Sequence, residues 1–331
     1  MRALRWPGAV GAAGVVVTLL AGFNREYTGP GGTCVFWNTR APHYSVNAKG
    51  SEHLTGPAEF TAIDNAFAAW AAPSCTDLKA VSDGQTPRFD ITYNPDAGLA
   101  NPNLNLIVWR PAICGSVVDG GCMGQSACDD AHDCLDDADQ EDIALTTFFA
   151  RSDTGAILSA GIELNDARFV FTTVQSPACD QTCTDAGLNR DGGACGARQP
   201  PPLPPASAVN WPCVQFDVQE ILTHEVGHFL GFAGSSDAGA VMSVLSPAGD
   251  VSRLKLATDD QSAICTVYPT GQPPSTVCDA GLMLPAPGCG CAPTRAVGSG
   301  GAWVALAVLG ALLVPLWRRR SRQTSEAQRG R

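Results

Sequence analysis

Alternation of hydrophobic and polar residues predicts five β-strands in the first half of the chain. These segments are short and rich in β-branched or aromatic side chains, which favour extended structure. The predicted strands cover residues 34–47, 88–94, 105–110, 143–150 and 157–165.

Hydrophobic residues at helical spacing predict three helices. Between residues 60 and 70 they recur every three or four positions, and Pro73 ends that helix. A second helix is predicted from about 217 to 231, and a third begins where Thr258 and Gln261 form a capping box. This order predicts one α+β domain with a mixed, mostly parallel twisted sheet, a site-bearing helix and a C-terminal helix.

Two segments without such a period interrupt the domain, at about 115–142 and 176–213. Both contain several cysteines, so we predict disulfide-bearing surface loops. The chain has 14 cysteines, of which Cys289 and Cys291 form a C-x-C pair near the C-terminus. The other twelve form an even set, which indicates disulfides in an exported protein. A metal cluster is the weaker alternative, because the spacings do not form two C-x-x-C pairs.

Both ends of the chain indicate export. Residues 1–22 have the order of a secretory signal peptide, with an uncleaved signal anchor as the alternative. A Pro/Gly/Cys linker at 271–296 leads to residues 297–317, a run without charge that is long enough for a transmembrane helix. A buried core helix is the alternative for that run. The basic tail 318–331 predicts a cytoplasmic end, so the domain should face outward.

The charge of the predicted exported part excludes one class of partner. The whole chain has a net charge of −11, and without the signal and the basic tail it has 31 acidic against 13 basic residues, a net −18. Such a surface repels phosphate backbones, so we expect no nucleic-acid partner.

The sequence HEVGH within the second predicted helix carries candidate metal chemistry. His224 and His228 are four residues apart, so on a helix both imidazoles share one face and can reach one metal ion. Glu225 lies between them, where a carboxylate can take a proton from a water molecule. A chance match on an amphipathic helix is the alternative reading.

This motif, continued to Gly231 and followed by VMS, resembles the metzincin clan and within it the matrixin-like zinc metalloproteases. The resemblance implies that His224 and His228 are zinc ligands and that Glu225 is the general base. It also implies that Gly231 forms the turn after the helix and that Met242 is the Met-turn residue. It implies a metallopeptidase domain over residues 29–270 that hydrolyses peptide bonds with a zinc-activated water. The strand at 157–165 resembles the family's edge strand, along which an extended peptide substrate pairs.

The sequence departs from that family pattern at one position. The third histidine ligand falls on Gly234, which has no side chain, whereas a catalytic zinc normally has three protein ligands. Asp237 is the tentative substitute, because a carboxylate is an acceptable zinc ligand. More distant alternatives are His43, His53 and His132. A degenerate site without zinc catalysis is the remaining alternative.

The C-terminal tail resembles a second family. Its G-C-G-C cluster, apolar run and arginines are similar to the sorting domain of exported myxobacterial proteins (MYXO-CTERM). This resemblance implies a sorting or processing protease that acts near Cys289 or Cys291 and delivers the protein to the cell surface. An ordinary single-pass membrane anchor is the alternative.

Two acidic segments suggest calcium binding. Residues 129–142 contain eight acidic residues, and residues 185–193 faintly resemble an EF-hand loop that lacks its closing glutamate. Solvated surface loops are the alternative.

Three functions remain open from the sequence. The first is a cell-surface zinc endopeptidase. The second is a catalytically inactive peptide-binding or adhesion protein of the same fold. The third is a disulfide-rich structural surface protein that contains HExxH by chance.

Overall fold

Strands and helices follow one another in an order that is typical of an α+β protein. The structure is a computed structural model, and it describes residues 23–29, 32–54, 56–120, 122, 126–173, 215–243, 248–278 and 295–298. The strands are β1 (Phe23–Arg25), β2 (His43–Asn47), β3 (Val81–Thr86), β4 (Leu106–Arg110), β5 (Ala144–Ala150), β6 (Ile157–Asn165), β7 (Phe171–Thr172), β8 (Phe216–Asp217), β9 (Phe232–Ser235) and β10 (Arg295–Gly298). The helices are α1 (Ala58–Ala71), α2 (Cys114–Val117), α3 (Ser126–His132), α4 (Val218–Phe229) and α5 (Thr258–Val267), and a 3-10 turn spans Asp137–Asp139.

A mixed sheet has the strand order β10-β5-β6-β4-β2-β3. Strands β3, β2, β4 and β6 are parallel, β5 is antiparallel to β6, and β10 pairs with β5 in parallel. Two smaller pairs are β1 with β9 and β7 with β8. The prediction of an α+β protein with a mixed, mostly parallel sheet is confirmed.

The predicted edge strand at 157–165 does not lie at the edge. It is β6, which has β4 on one side and β5 on the other, and eight of its nine residues are buried. The prediction rested on the family resemblance of this one strand, and it was wrong because the sequence of a strand does not identify its neighbours in the sheet. The short turn after β5 folds that strand back against β6, and β5 therefore lies outside it.

The predicted strand at 88–94 was also wrong. The strand in this region is β3, which is mostly exposed and has no hydrophobic alternation to reveal it. In the segment 88–94, the backbone N–H groups of Ile91 and Thr92 donate to the carboxylate of Asp130 at 3.0 and 2.8 Å. A side chain therefore satisfies backbone donors that a sheet would otherwise use.

Helix α4 is anchored by aromatic side chains from several parts of the core. The indole N–H of Trp70 on α1 donates to the Thr223 carbonyl at 2.7 Å. At the C-terminal end of α4, Trp37 Nε1 donates to the Phe229 carbonyl at 2.8 Å, and the Tyr268 hydroxyl donates to the Leu230 carbonyl at 2.7 Å. The bonds to Phe229 and Leu230 satisfy carbonyls that a helix end leaves without an intrahelical partner.

Disulfides are confirmed by four pairs in the structure. They are Cys34–Cys278, Cys75–Cys265, Cys114–Cys134 and Cys122–Cys128. The segment 115–142 is more than a surface loop, because its Asp130 is 2.8 Å from the guanidinium of the fully buried Arg110, which also pairs with Glu163 at 2.6 Å. The segment 176–213 lies outside the described residues.

The predicted cap of the C-terminal helix was wrong by one residue. Helix α5 begins at Thr258, and the residue before it, Ala257, donates its backbone N–H to Asp260 at 2.9 Å. Asp260 therefore takes the role that the sequence pattern gave to Gln261.

The predicted signal peptide and basic tail lie outside the described residues. So does the predicted linker, except for residues 271–278 and for residues 295–296, which begin β10. The predicted transmembrane run also lies outside them, except for its first two residues in β10. In the part of the chain that the structure describes, no helix is both long enough and apolar enough to cross a membrane.

Candidate metal centre

Helix α4 brings the two histidines of HEVGH to one face. Asp217 caps its first turn by accepting the backbone N–H of Glu220 at 2.9 Å. Gly231, with φ of 90°, follows its C-terminal end, and a Cβ there would lie 2.6 Å from the Val35 carbonyl oxygen. Glycine is therefore required where the chain leaves the helix.

The two imidazoles are arranged as a pair of metal ligands. Nδ1 of His224 is 2.8 Å from the Val241 carbonyl, and Nδ1 of His228 is 2.8 Å from the Phe232 carbonyl. A carbonyl only accepts, so each Nδ1 carries the proton and each Nε2 keeps its lone pair. The two Nε2 atoms are 3.2 Å apart, close to the roughly 3.3 Å expected for two nitrogens bound tetrahedrally to zinc at ~2.0–2.1 Å.

The surroundings shift the pKa values of the two histidines in opposite directions. Burial, helped by His228, lowers the pKa of His224 to about 3, so this imidazole stays neutral as a metal ligand must. Burial also lowers the pKa of His228, but Glu26 and Glu225 outweigh it and the net shift is upward.

Glu225 is held beside this pair by the sheet. The Thr146 hydroxyl on β5 donates to Glu225 Oε2 at 2.6 Å. The glutamate is buried, which raises its pKa, while His228 and the Thr146 bond oppose that rise. The role of Thr146 could not be predicted from the sequence pattern, because the contact joins two elements 79 residues apart.

Met242 packs directly beneath the helix. A Cβ on Gly227 would lie 2.1 Å from the Met242 sulfur and 2.8 Å from Trp70, so only glycine fits between Glu225 and His228 at that position. Asp260 of α5 accepts the backbone N–H groups of Val241 and Met242 at 2.8 and 3.1 Å. The same turn presents its Val241 carbonyl to His224, so α5 helps to orient that imidazole.

Asp237, the tentative third ligand, is not brought to the two histidines. Its Oδ1 accepts the backbone N–H of Gly239 at 2.9 Å. Among the described residues, three possible ligand atoms of His, Cys, Asp or Glu lie within 4.8 Å of one another only at Cys114, Cys122 and Cys134, and these cysteines form disulfides. His224, His228 and Asp237 therefore do not form such a group. Two of the three zinc ligand positions therefore fit, and this geometry does not support Asp237 as the third.

The distant alternatives are not brought to the site either. His43 is 2.7 Å from Asp83, His53 is 3.2 Å from Asp166, and His132 lies in α3. Among the described residues of the acidic segment 129–142, no three carboxylates lie close enough together to share a calcium ion. The other calcium candidate, 185–193, lies outside those residues.

One carboxylate near the pair was not predicted. Glu26 Oε1 is 3.6 Å from Nδ1 of His228. Glu26 directly follows β1, a three-residue strand with no hydrophobic period, so the sequence pattern gave no signal for it.

Comparison with known families agrees with this arrangement. Residues 127–269 match the family model described as Matrixin. The match covers less than half of the chain, includes the HEVGH helix and the Met242 turn, and supports a zinc metallopeptidase-type family. No curated protein matches the chain significantly. The individual roles of His224, Glu225 and His228 stay predictions that this geometry supports.

Proposed function

We propose that this protein is an exported, cell-surface zinc endopeptidase. The observation that carries the proposal is the facing pair of Nε2 atoms, 3.2 Å apart, beside a carboxylate that Thr146 holds in place. The matrixin match over 127–269 supports the same reaction class.

His224 and His228 would hold the zinc ion through Nε2. When bound, zinc supplies a Lewis acid that polarises the scissile carbonyl and makes water a better nucleophile. Glu225 accepts the proton of the attacking water at its carboxylate and returns it to the leaving amine. Thr146 donates a hydrogen bond to one carboxylate oxygen of Glu225 and so fixes the orientation of the proposed base.

An extended peptide would bind along the outer edge of β5 rather than along β6. Thr146 lies on β5, so a peptide added to this edge would run close to Glu225. Part of the edge, Thr147–Ala150, is paired with β10 of the same chain.

The proposed location rests on the sequence and on the disulfides. The four disulfides favour an oxidising compartment. Residues 1–22 would direct export, residues 297–317 would anchor the chain, and a processing protease would act on the tail.

A catalytically inactive peptide-binding protein of the same fold is the second candidate. The specific observation in its favour is Gly234, together with the lack of a third ligand atom near the pair among the described residues.

Glu225→Gln separates the two candidates. Glutamine can still accept the Thr146 hydrogen bond but cannot take a proton, so we expect bound zinc to remain while casein cleavage falls by about 10²–10⁴-fold. Glu141→Gln, at a carboxylate whose side chain is 75% exposed, is the matched control. Undiminished cleavage by Glu225→Gln would refute the general base. A wild-type protein that binds zinc but shows no chelator-sensitive cleavage would favour the inactive candidate.

A further inference from the structure

We propose that Glu26 is a positioning residue of the metal centre, which acts on the metal through Nδ1 of His228. The proposal rests on zinc binding by His224 and His228. The N-terminal strand lies outside the HEVGH motif and outside the matrixin match, which begins at residue 127. The proposal gives this strand a role in the metal centre.

The backbone of Glu26 is fixed on both sides. Its N–H donates to the Gly231 carbonyl at 3.0 Å, and its carbonyl accepts the N–H of Val35 at 2.9 Å. Strand β1 pairs antiparallel with β9, the strand that contains Gly234. The N-terminal strand therefore lies against the segment that follows helix α4. That segment contains Gly234, at the position where the family has its third zinc ligand.

One face of β1 is directed toward that segment. Arg25 is buried, and its guanidinium donates to the Val35 and Ser275 carbonyls at 2.8 and 2.7 Å. Because side chains alternate along a strand, Asn24 and Glu26 lie on the other face. Asn24 Nδ2 donates to the Gly234 carbonyl at 3.0 Å, while Glu26 approaches His228.

The Glu26 carboxylate reaches the nitrogen of His228 that does not face His224. Nδ1 already donates its proton to Phe232 at 2.8 Å, and Glu26 Oε1 lies 3.6 Å from the same nitrogen. A carboxylate beside the distal nitrogen of a histidine makes the other nitrogen a stronger donor to a cation. This contribution matters more where Gly234 leaves the metal with two imidazoles.

A purely structural role would have a different signature. The Glu26 side chain is 19% exposed and sits at the surface end of the site, so an isosteric glutamine should fold normally. Loss of a hydrogen-bonded outer partner typically weakens metal affinity by roughly 10–100-fold. Glu26 approaches the same nitrogen without taking its proton, so we expect its loss to cost about tenfold, the lower end of that range. A structural role predicts a change in the stability of the metal-free protein instead.

The test measures zinc affinity of the full chain by competition with a chromophoric chelator. For Glu26→Gln we expect a Kd weaker by about tenfold and an unchanged melting temperature of the metal-free protein. Glu26→Asp, which keeps the charge, should recover part of the affinity. The matched control is Glu52→Gln, which removes a carboxylate that pairs with Lys49 away from the site.

Cobalt(II) separates action through His228 from direct ligation. If Glu26 acts through the histidine, the intensity of the visible cobalt bands should be the same in saturated Glu26→Gln and wild-type protein. A marked loss of intensity would show direct ligation and overturn the positioning role. Zinc affinity within twofold of wild type in Glu26→Gln would overturn the proposal alone, whereas a wild-type chain that binds no zinc would overturn the proposed function as well.

Discussion

Replacing Gly234 by histidine tests whether the site lacks only its third ligand. The position lies within β9 and has no positive φ, so the backbone accepts a side chain without the strain of a left-handed conformation. The imidazoles of His224 and His228 are already oriented by the Val241 and Phe232 carbonyls, and their Nε2 atoms are 3.2 Å apart. The added imidazole therefore should not require rearrangement of the existing pair.

The expected gain follows from the energetics of zinc sites. Tetrahedral zinc centres bind with about 10–16 kcal/mol, or roughly 3 kcal/mol for each of four ligands. A third protein ligand should therefore tighten the zinc Kd by about a hundredfold. At one zinc concentration that saturates both proteins, the tighter binding adds about 2.7 kcal/mol of stability. For a domain of this size that corresponds to a rise in Tm of about 5–10 °C.

Chelator competition measures the affinity, and thermal unfolding with and without zinc measures the stabilisation. Gly239→His is the matched control, because it places the same side chain in the same segment at an exposed glycine. Casein cleavage should rise in Gly234→His and stay at the wild-type level in the control. If folded Gly234→His binds zinc no more tightly than wild type, the account of a site that lacks one ligand is wrong.

Three further predictions follow from particular contacts. Asp237→Ala should leave zinc affinity unchanged, because Asp237 caps Gly239, and a large loss of zinc would restore it as a ligand. Burial, together with Asp250, raises the pKa of Glu220 to about 8, so the folded protein binds this proton more tightly than the unfolded chain does. The stability of the folded protein should therefore fall as the pH rises from about 4.5 to about 8. Glu220→Gln should raise Tm at pH 8 but not at pH 4, and an equal change in Tm at both pH values would contradict this reasoning. Ending the chain after Cys278 removes β10, which pairs with β5, and keeps the Cys34–Cys278 disulfide. If peptide substrates bind along the edge of β5, casein cleavage should increase, and an unchanged rate would argue against that edge.

Local patterns were enough to predict the helix that carries the site. The spacing of His224 and His228 required both imidazoles to share one face, and the structure places their Nε2 atoms 3.2 Å apart. Gly231 followed from the rule that a helix often ends at a residue with positive φ, and its φ is 90°. These features depend on neighbours within a few residues, which the sequence displays directly.

Contacts between distant segments could not be predicted in this way. Glu26 reaches His228 because β1 pairs with β9, about 200 residues further along the chain, and no periodicity records that pairing. Asp237 was favoured because it is close to Gly234 in sequence, but its carboxylate is used in a local turn. The identity of the edge strand also depends on which strand folds back outside β6, which is a property of the whole sheet.

Anomalous X-ray scattering at the zinc absorption edge, from crystals grown with zinc, would test the central claim most directly. We predict one peak about 2.0–2.1 Å from the Nε2 atoms of both His224 and His228, on the side where they face each other. A fully ordered HEVGH helix with no peak between these nitrogens at saturating zinc would contradict the proposed metal centre.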